Sequence, residues 1–156
     1  MTPLIAATCL TLLLAGGCAD EAPAESDSGS PDVIDDCEGR ADSYAPGLRK
    51  SSDDGSVEVE LVSAEPAPPA NASAHWTLRL RDAAGEEIPG ASVTALPYMI
   101  DHGHSAATSV AEEAADGSYE IGSIGLIMPG LWDVTLSVTT AGGEQSEVVF
   151  AFCIGG

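Results

Sequence analysis

The sequence predicts an all-β fold, an antiparallel β-sandwich of about seven strands behind a targeting segment and an acidic tether. Three observations predict it. From Ser56 onward, apolar and polar residues alternate with a period of two. Gly, Pro and Asp clusters interrupt the alternation at short intervals, as turns do. No stretch of useful length carries a helical period.

The strands follow in order. "SVEVELVSA" sets Val57, Val59 and Leu61 against Glu58 and Glu60. After the Pro-rich break "EPAPPANAS", "AHWTLRLRD" sets Trp76, Leu78 and Leu80 against Thr77, Arg79 and Arg81. The turn "AAGEEIPG" leads into "ASVTALPYM", a β-branched strand expected to end at Pro97, because proline has no N–H for a ladder. "TSVAEEA" is a weaker strand, and Asp116–Gly117 marks a hairpin turn before "SYEIGSI". "LWDVTLSVTT" places Trp132, Val134, Leu136 and Val138 on one face; "AGGEQ" turns the chain, and "SEVVFAFCI" closes the domain. The expected core unites Trp76, Leu78, Val93, Tyr119, Ile121, Trp132, Val134, Leu136, Val149 and Phe150.

Residues 1–17 include the apolar run "TPLIAATCLTLLLAGG", too short for a comfortable permanent membrane span. The following residue is Cys18, and "LLAGGC" resembles the lipobox of bacterial lipoproteins. That resemblance implies cleavage before Cys18 and diacylation of Cys18. Acyl chains contribute about 0.8 kcal/mol per buried CH₂, so several chains anchor a protein firmly to a membrane. Residues 18–55 read as the lipidated Cys18 and a flexible acidic tether, since a stretch rich in Ala, Pro, Ser and acids buries too little apolar surface to offset its ordering entropy; a disulfide at Cys37 would pin its later part, around Cys37 and "DSYAPGL", to the domain. Residues 56–156 are the domain. Asp20 is one place removed from Ala19, the residue after the lipidated Cys18, which points to the outer membrane, facing the periplasm or the cell surface.

Cysteine usage agrees with export. Cys9 leaves with the signal and Cys18 takes the lipid, so Cys37 and Cys153 remain as an even pair in an oxidising compartment. One disulfide between them is expected; two separate thiols are the alternative. Lys and Arg total 5 against 25 Asp and Glu, a formal charge of −20. This leaves no basic footprint for nucleic acid and disfavours direct docking on anionic headgroups. Membrane association falls to the lipid anchor, and the acidity favours a soluble monomer.

The residues with metal chemistry are concentrated in "YMIDHGHS" and "LIMPGLW". Met99, His102, His104 and Met128 combine thioethers with imidazoles, a donor set that suits copper. On an extended loop His102 and His104 point to one side, and Asp101 is placed to orient an imidazole. His75 starts a strand and is a poorly placed fourth ligand. The opposing reading has Met128 as core filler, Pro129–Gly130 as a plain turn and the two histidines as loop supports. Both readings stay open at this point.

Catalytic patterns are missing. Ser105 and His104 are adjacent, so they point apart on an extended segment, and no G-x-S-x-G elbow surrounds them. Glu86–Glu87 and Glu112–Glu113 read as solvated surface, and there is no H-E-x-x-H. A non-enzymatic protein is expected.

Taken in sequence, Gly85 to Val93, Met99 to His104, Asp116 to Tyr119 and Met128 to Trp132 resemble the ordered motifs of the YtkA-like domain, related to the FixH family of exported or membrane-attached bacterial proteins. Ile100 stands where that pattern has Pro after the Met. The resemblance implies an immunoglobulin-like sandwich over roughly Val57 to Phe152, no established catalysis, and an association with copper handling. A metal-free module that docks on another envelope protein is the alternative function.

Overall fold

The computed structural model describes residues 37–156. The expected signal peptide and Cys18 lie outside the described residues. Among the described residues the elements are β1 (Leu48–Ser51), β2 (Val57–Glu65), β3 (Ala72–Asp82), β4 (Ser92–Met99), β5 (His104–Ser105), β6 (Ser109–Glu113), β7 (Tyr119–Leu126), β8 (Gly130–Thr139) and β9 (Gln145–Ile154). All pairings are antiparallel, in the order β1-β2-β3-β7-β6-β4-β8-β9, with β5 added to β4. The predicted sandwich is therefore present, with nine strands in place of about seven.

β6 joins the two layers. Ala111 to Glu113 pair with β7, whereas Ser109 and Val110 pair with β4. At the far edges β9 comes back against β1 and β2, where Ser56 and Ser146 share a hydroxyl hydrogen bond of 2.8 Å. The two layers are thus nearly closed into a barrel.

Between the layers the alternating residues bury as the pattern requires. Trp76, Leu78, Val93, Tyr119, Ile121, Trp132, Val134, Leu136 and Phe150 all belong to one core cluster. Trp76 meets Phe150 and Phe152 edge to face, with centroids 5.9 and 5.7 Å apart. Such pairs add about 0.5–1.5 kcal/mol each beyond area burial. The Tyr119 hydroxyl donates to Ile88 O at 2.7 Å and accepts the Ala91 N–H at 3.1 Å, which fastens the β3–β4 crossing. Burial pushes this phenol above its ordinary pKa. At the Asp116–Gly117 hairpin, Gly117 takes φ +79° and the Asp116 carboxylate accepts the Ser118 N–H and hydroxyl.

Three expectations are corrected. Val149 faces outward at 39 % exposure, and Val148 takes the inward place. In "VVFAF" both phases of the alternation are apolar, so the pattern does not select one. β4 does not end at Pro97 but continues to Met99. Pro97 O accepts the Ala106 N–H at 2.9 Å, so that edge of Pro97, including its N, points to the gap between β5 and β6, where no ladder donor is needed. Finally, the stretch 37–55 of the expected tether is not merely pinned by the disulfide but built into the domain. β1 pairs with β2, Tyr44 accepts the Ala64 N–H at 2.9 Å, and Cys37 is bonded to Cys153, 116 residues away in sequence. The disulfide is as expected.

Candidate metal centre

One row of the layer formed by β5, β4, β8 and β9 gathers the residues of interest. Met99, the last residue of β4, lies opposite His104 of β5 on one side and opposite Trp132 of β8 on the other. Directly paired residues of an antiparallel sheet put their side chains on the same face. Met99 and Trp132 accordingly both enter the core, while the His104 ring meets Trp132 edge to face at 6.1 Å. His102 stacks on His104 with ring centroids 5.9 Å apart and planes at 28°. Both histidines are exposed.

The second thioether arrives from the β7–β8 connection. Met128 is partly buried against the core, and the Trp132 indole N–H donates to its carbonyl at 2.9 Å. Met128 is therefore held at the end of the sandwich that carries Met99, His102 and His104. Trp132 links three of them directly: it pairs with Met99, touches His104 and fixes the backbone of Met128.

The turn between β4 and β5 is tight. The Gly103 N–H donates to Met99 O at 2.9 Å, with Gly103 at φ +66°, a conformation that favours glycine. Gly130 has φ +135°, and a Cβ there would lie 2.6 Å from Asp101 Oδ2 and 2.7 Å from Met99 Cε. Glycine is needed at 130 for the carboxylate and the thioether methyl to approach this strand.

Asp101 does not orient an imidazole, contrary to expectation. Its Oδ2 accepts the Leu131 N–H at 2.9 Å, so it ties the loop to β8. His75 belongs elsewhere: it lies over Gly122 in a groove with Glu65, Glu112 and Glu120, none of them from the loop. Among the described residues no three His, Cys, Asp or Glu side chains converge as a metal group. Among the described residues the loop therefore offers no such cluster of hard donors, and its remaining soft donors are the thioethers of Met99 and Met128.

Fold and loop together define the class, a β-sandwich domain with a Met/His loop at one end. The family model described as YtkA-like matches residues 51–137, and the chain belongs to the YtkA-like family. None of the curated proteins matches it. Among solved structures, a copper-bound variant of FetP from uropathogenic Escherichia coli is 17% identical, with 72% of this chain and 97% of that chain covered and a TM-score of 0.48. A copper-bound variant of P19 from Campylobacter jejuni is 14% identical, with 70% of this chain and 95% of that chain covered and a TM-score of 0.47.

Proposed function

We propose that this protein is an exported, non-enzymatic protein of the cell envelope that binds copper at the Met/His end of its sandwich. The observation that carries the reading is the shared row of Met99, His104 and Trp132, with His102 stacked on His104 and Met128 fastened to Trp132. His102 and His104 are the exposed donors that meet a metal first; Met128 and Met99 supply thioether sulfur at the same end. Thioether with imidazole suits Cu(I), and imidazole also suits Cu(II). Bound copper would serve as cargo or a stored ion, with no reaction attached. The Cys37–Cys153 disulfide supports an oxidising compartment. A lipid on Cys18 would keep the protein, as a monomer, at the outer membrane.

Titration of the purified protein with Cu(I) against a competing chelator tests this. Wild type is expected to bind one equivalent, and the His102→Ala, His104→Ala double variant is expected to bind at least about tenfold more weakly. Equal affinity in both removes the assignment.

One observation favours the alternative, a metal-free module that docks on an envelope partner. Leu96 of β4 and Val149 of β9 flank Thr135 in one outward row, with Tyr98 two residues further along β4, and all three apolar side chains are exposed. Retention of a partner by the double variant, with no copper bound to wild type, would favour that reading.

A further inference from the structure

We propose that the Cys37–Cys153 disulfide and the Asp101 carboxylate are positioning groups for the Met/His loop, bracing it from the outer side of the sheet. The functional part of this inference rests on the copper reading above. Leu131 is the point where the brace acts. Its N–H donates to Asp101 Oδ2 at 2.9 Å, and its carbonyl accepts the Ile100 N–H at 3.0 Å. Both residues after Met99 are therefore held by the backbone of one residue of β8. A proline at position 100 would have no N–H to give, so the tie to Leu131 O depends on a residue such as Ile100.

Behind Leu131 sits the disulfide. Cys153 is its direct partner in the β8–β9 ladder. Cys37, Leu131 and Ala151 form a small buried cluster separate from the main core, with Ile100, Ala41 and Cys153 packed against it. The disulfide thus presses the Cys37 segment onto the same two residues, Leu131 and Ile100, that hold the loop. The segment has a second fastening that does not involve sulfur. Asp42 donates its N–H to Ala151 O at 2.7 Å and accepts the Ala151 N–H at 2.8 Å, and Lys50 Nζ bonds both Asp42 oxygens at 2.9 and 2.8 Å. Because the main core lies on the other face of the sheet, loss of the disulfide slackens the loop and leaves the sandwich folded.

Hydrogen–deuterium exchange on the metal-free protein reads this directly. In the Cys37→Ser, Cys153→Ser double variant the amides of Ile100, Gly103 and Leu131 are expected to exchange about tenfold faster than in wild type. The turn amides of Gly85 and Gly143, bonded to Asp82 O and Thr140 O at 2.9 Å, serve as internal references and are expected to stay unchanged. Asp101→Ala is expected to give the same local pattern, and Asp101→Asn, which keeps an acceptor oxygen, to restore much of the protection. Cu(I) affinity in the two loosened variants should fall about tenfold, with recovery in Asp101→Asn. Loop exchange that does not change, or that rises equally at Gly85 and Gly143, overturns the brace whatever copper does. A localised rise in loop exchange in a protein that binds no Cu(I) upholds the brace and removes the copper reading.

Discussion

The Trp132 ring stands edge-on to the imidazole of His104, their centroids 6.1 Å apart, while its indole N–H holds Met128 O at 2.9 Å. A buried indole therefore lies between the exposed imidazole and the backbone of Met128, which makes it a natural reporter. Cu(II) bound at His102 and His104 is expected to quench a fraction of the tryptophan emission, saturating at one equivalent. In Trp132→Phe the remaining Trp76 emission should respond much less. Equal quenching in wild type and Trp132→Phe would place the metal away from this end.

Gly130 makes a second probe because it alters the loop without removing a ligand. An added Cβ meets Asp101 Oδ2 and Met99 Cε at distances no real Cβ tolerates, in a backbone conformation that L side chains rarely adopt. Gly130→Ala is expected to cost about 1–3 kcal/mol of stability and to weaken Cu(I) binding. Chemical denaturation and chelator competition measure the two effects. A fully stable variant would mean that the turn relaxes at little cost.

The two tryptophans differ in what their N–H groups do. Among the described residues Trp76 Nε1 is buried with no partner, whereas Trp132 Nε1 is bonded. Replacing Trp132 by Phe strands the Met128 carbonyl, a loss of about 1–3 kcal/mol on top of the lost packing. Trp76→Phe loses packing but also removes a buried donor that has no partner, which offsets part of the loss. Denaturant midpoints should therefore fall further for Trp132→Phe than for Trp76→Phe; the reverse order contradicts the hydrogen-bond assignment.

Acid stability has a contribution at the β1–β2 turn. The Asp54 carboxylate accepts the hydroxyls of Ser52 and Ser56 at 2.6 and 2.7 Å, and these bonds lower its pKa from 3.8 to about 2. A carboxylate with a lowered folded-state pKa stabilises the fold above its unfolded value, and the contribution fades as pH drops through the folded value. Wild type should thus exceed Asp54→Asn in unfolding midpoint above pH 4 or so. The gap should close towards about pH 2. Exposure to water keeps the effect small. A gap that is constant with pH would assign the difference to something other than ionisation.

Much of the fold is legible in the sequence because most of the long strands have one apolar and one polar face. β3 and, from Trp132 on, β8 alternate without interruption, while β2 and β7 alternate in two stretches of opposite phase, broken after Leu61 and at Ser123, and each stretch buries its apolar residues. The misses have local causes. β1, "LRKS", has a single apolar residue and reads as tether; its pairing with β2 supplies what its composition lacks. β5 has two residues, too few for any period. At the end of β9 both faces are covered, the inner by the main core and the outer, at Ala151 and Cys153, by the Cys37 segment; Val148 and Val149 are identical side chains, so the sequence does not show that Val149 is the exposed one.

At the candidate site the donor types and their proximity were legible, since "MIDHGH" and "MPGLW" are short and distinctive. The linkage between them was not. Trp132 as the shared neighbour and Asp101 as a tie to Leu131 depend on the registers β4–β5 and β4–β8, which bring together residues about thirty positions apart. The signal that could have exposed Asp101 was Gly130, a glycine opening a strand, where a close approach by another group is the usual reason.

X-ray absorption at the copper edge of the Cu(I)-loaded protein addresses the central claim most directly. The account predicts a mixed first shell of imidazole nitrogen and thioether sulfur, with the sulfur contribution reduced in Met128→Leu and the imidazole contribution lost in the His102→Ala, His104→Ala double variant. A first shell without sulfur, or a spectrum that neither variant changes, would contradict it.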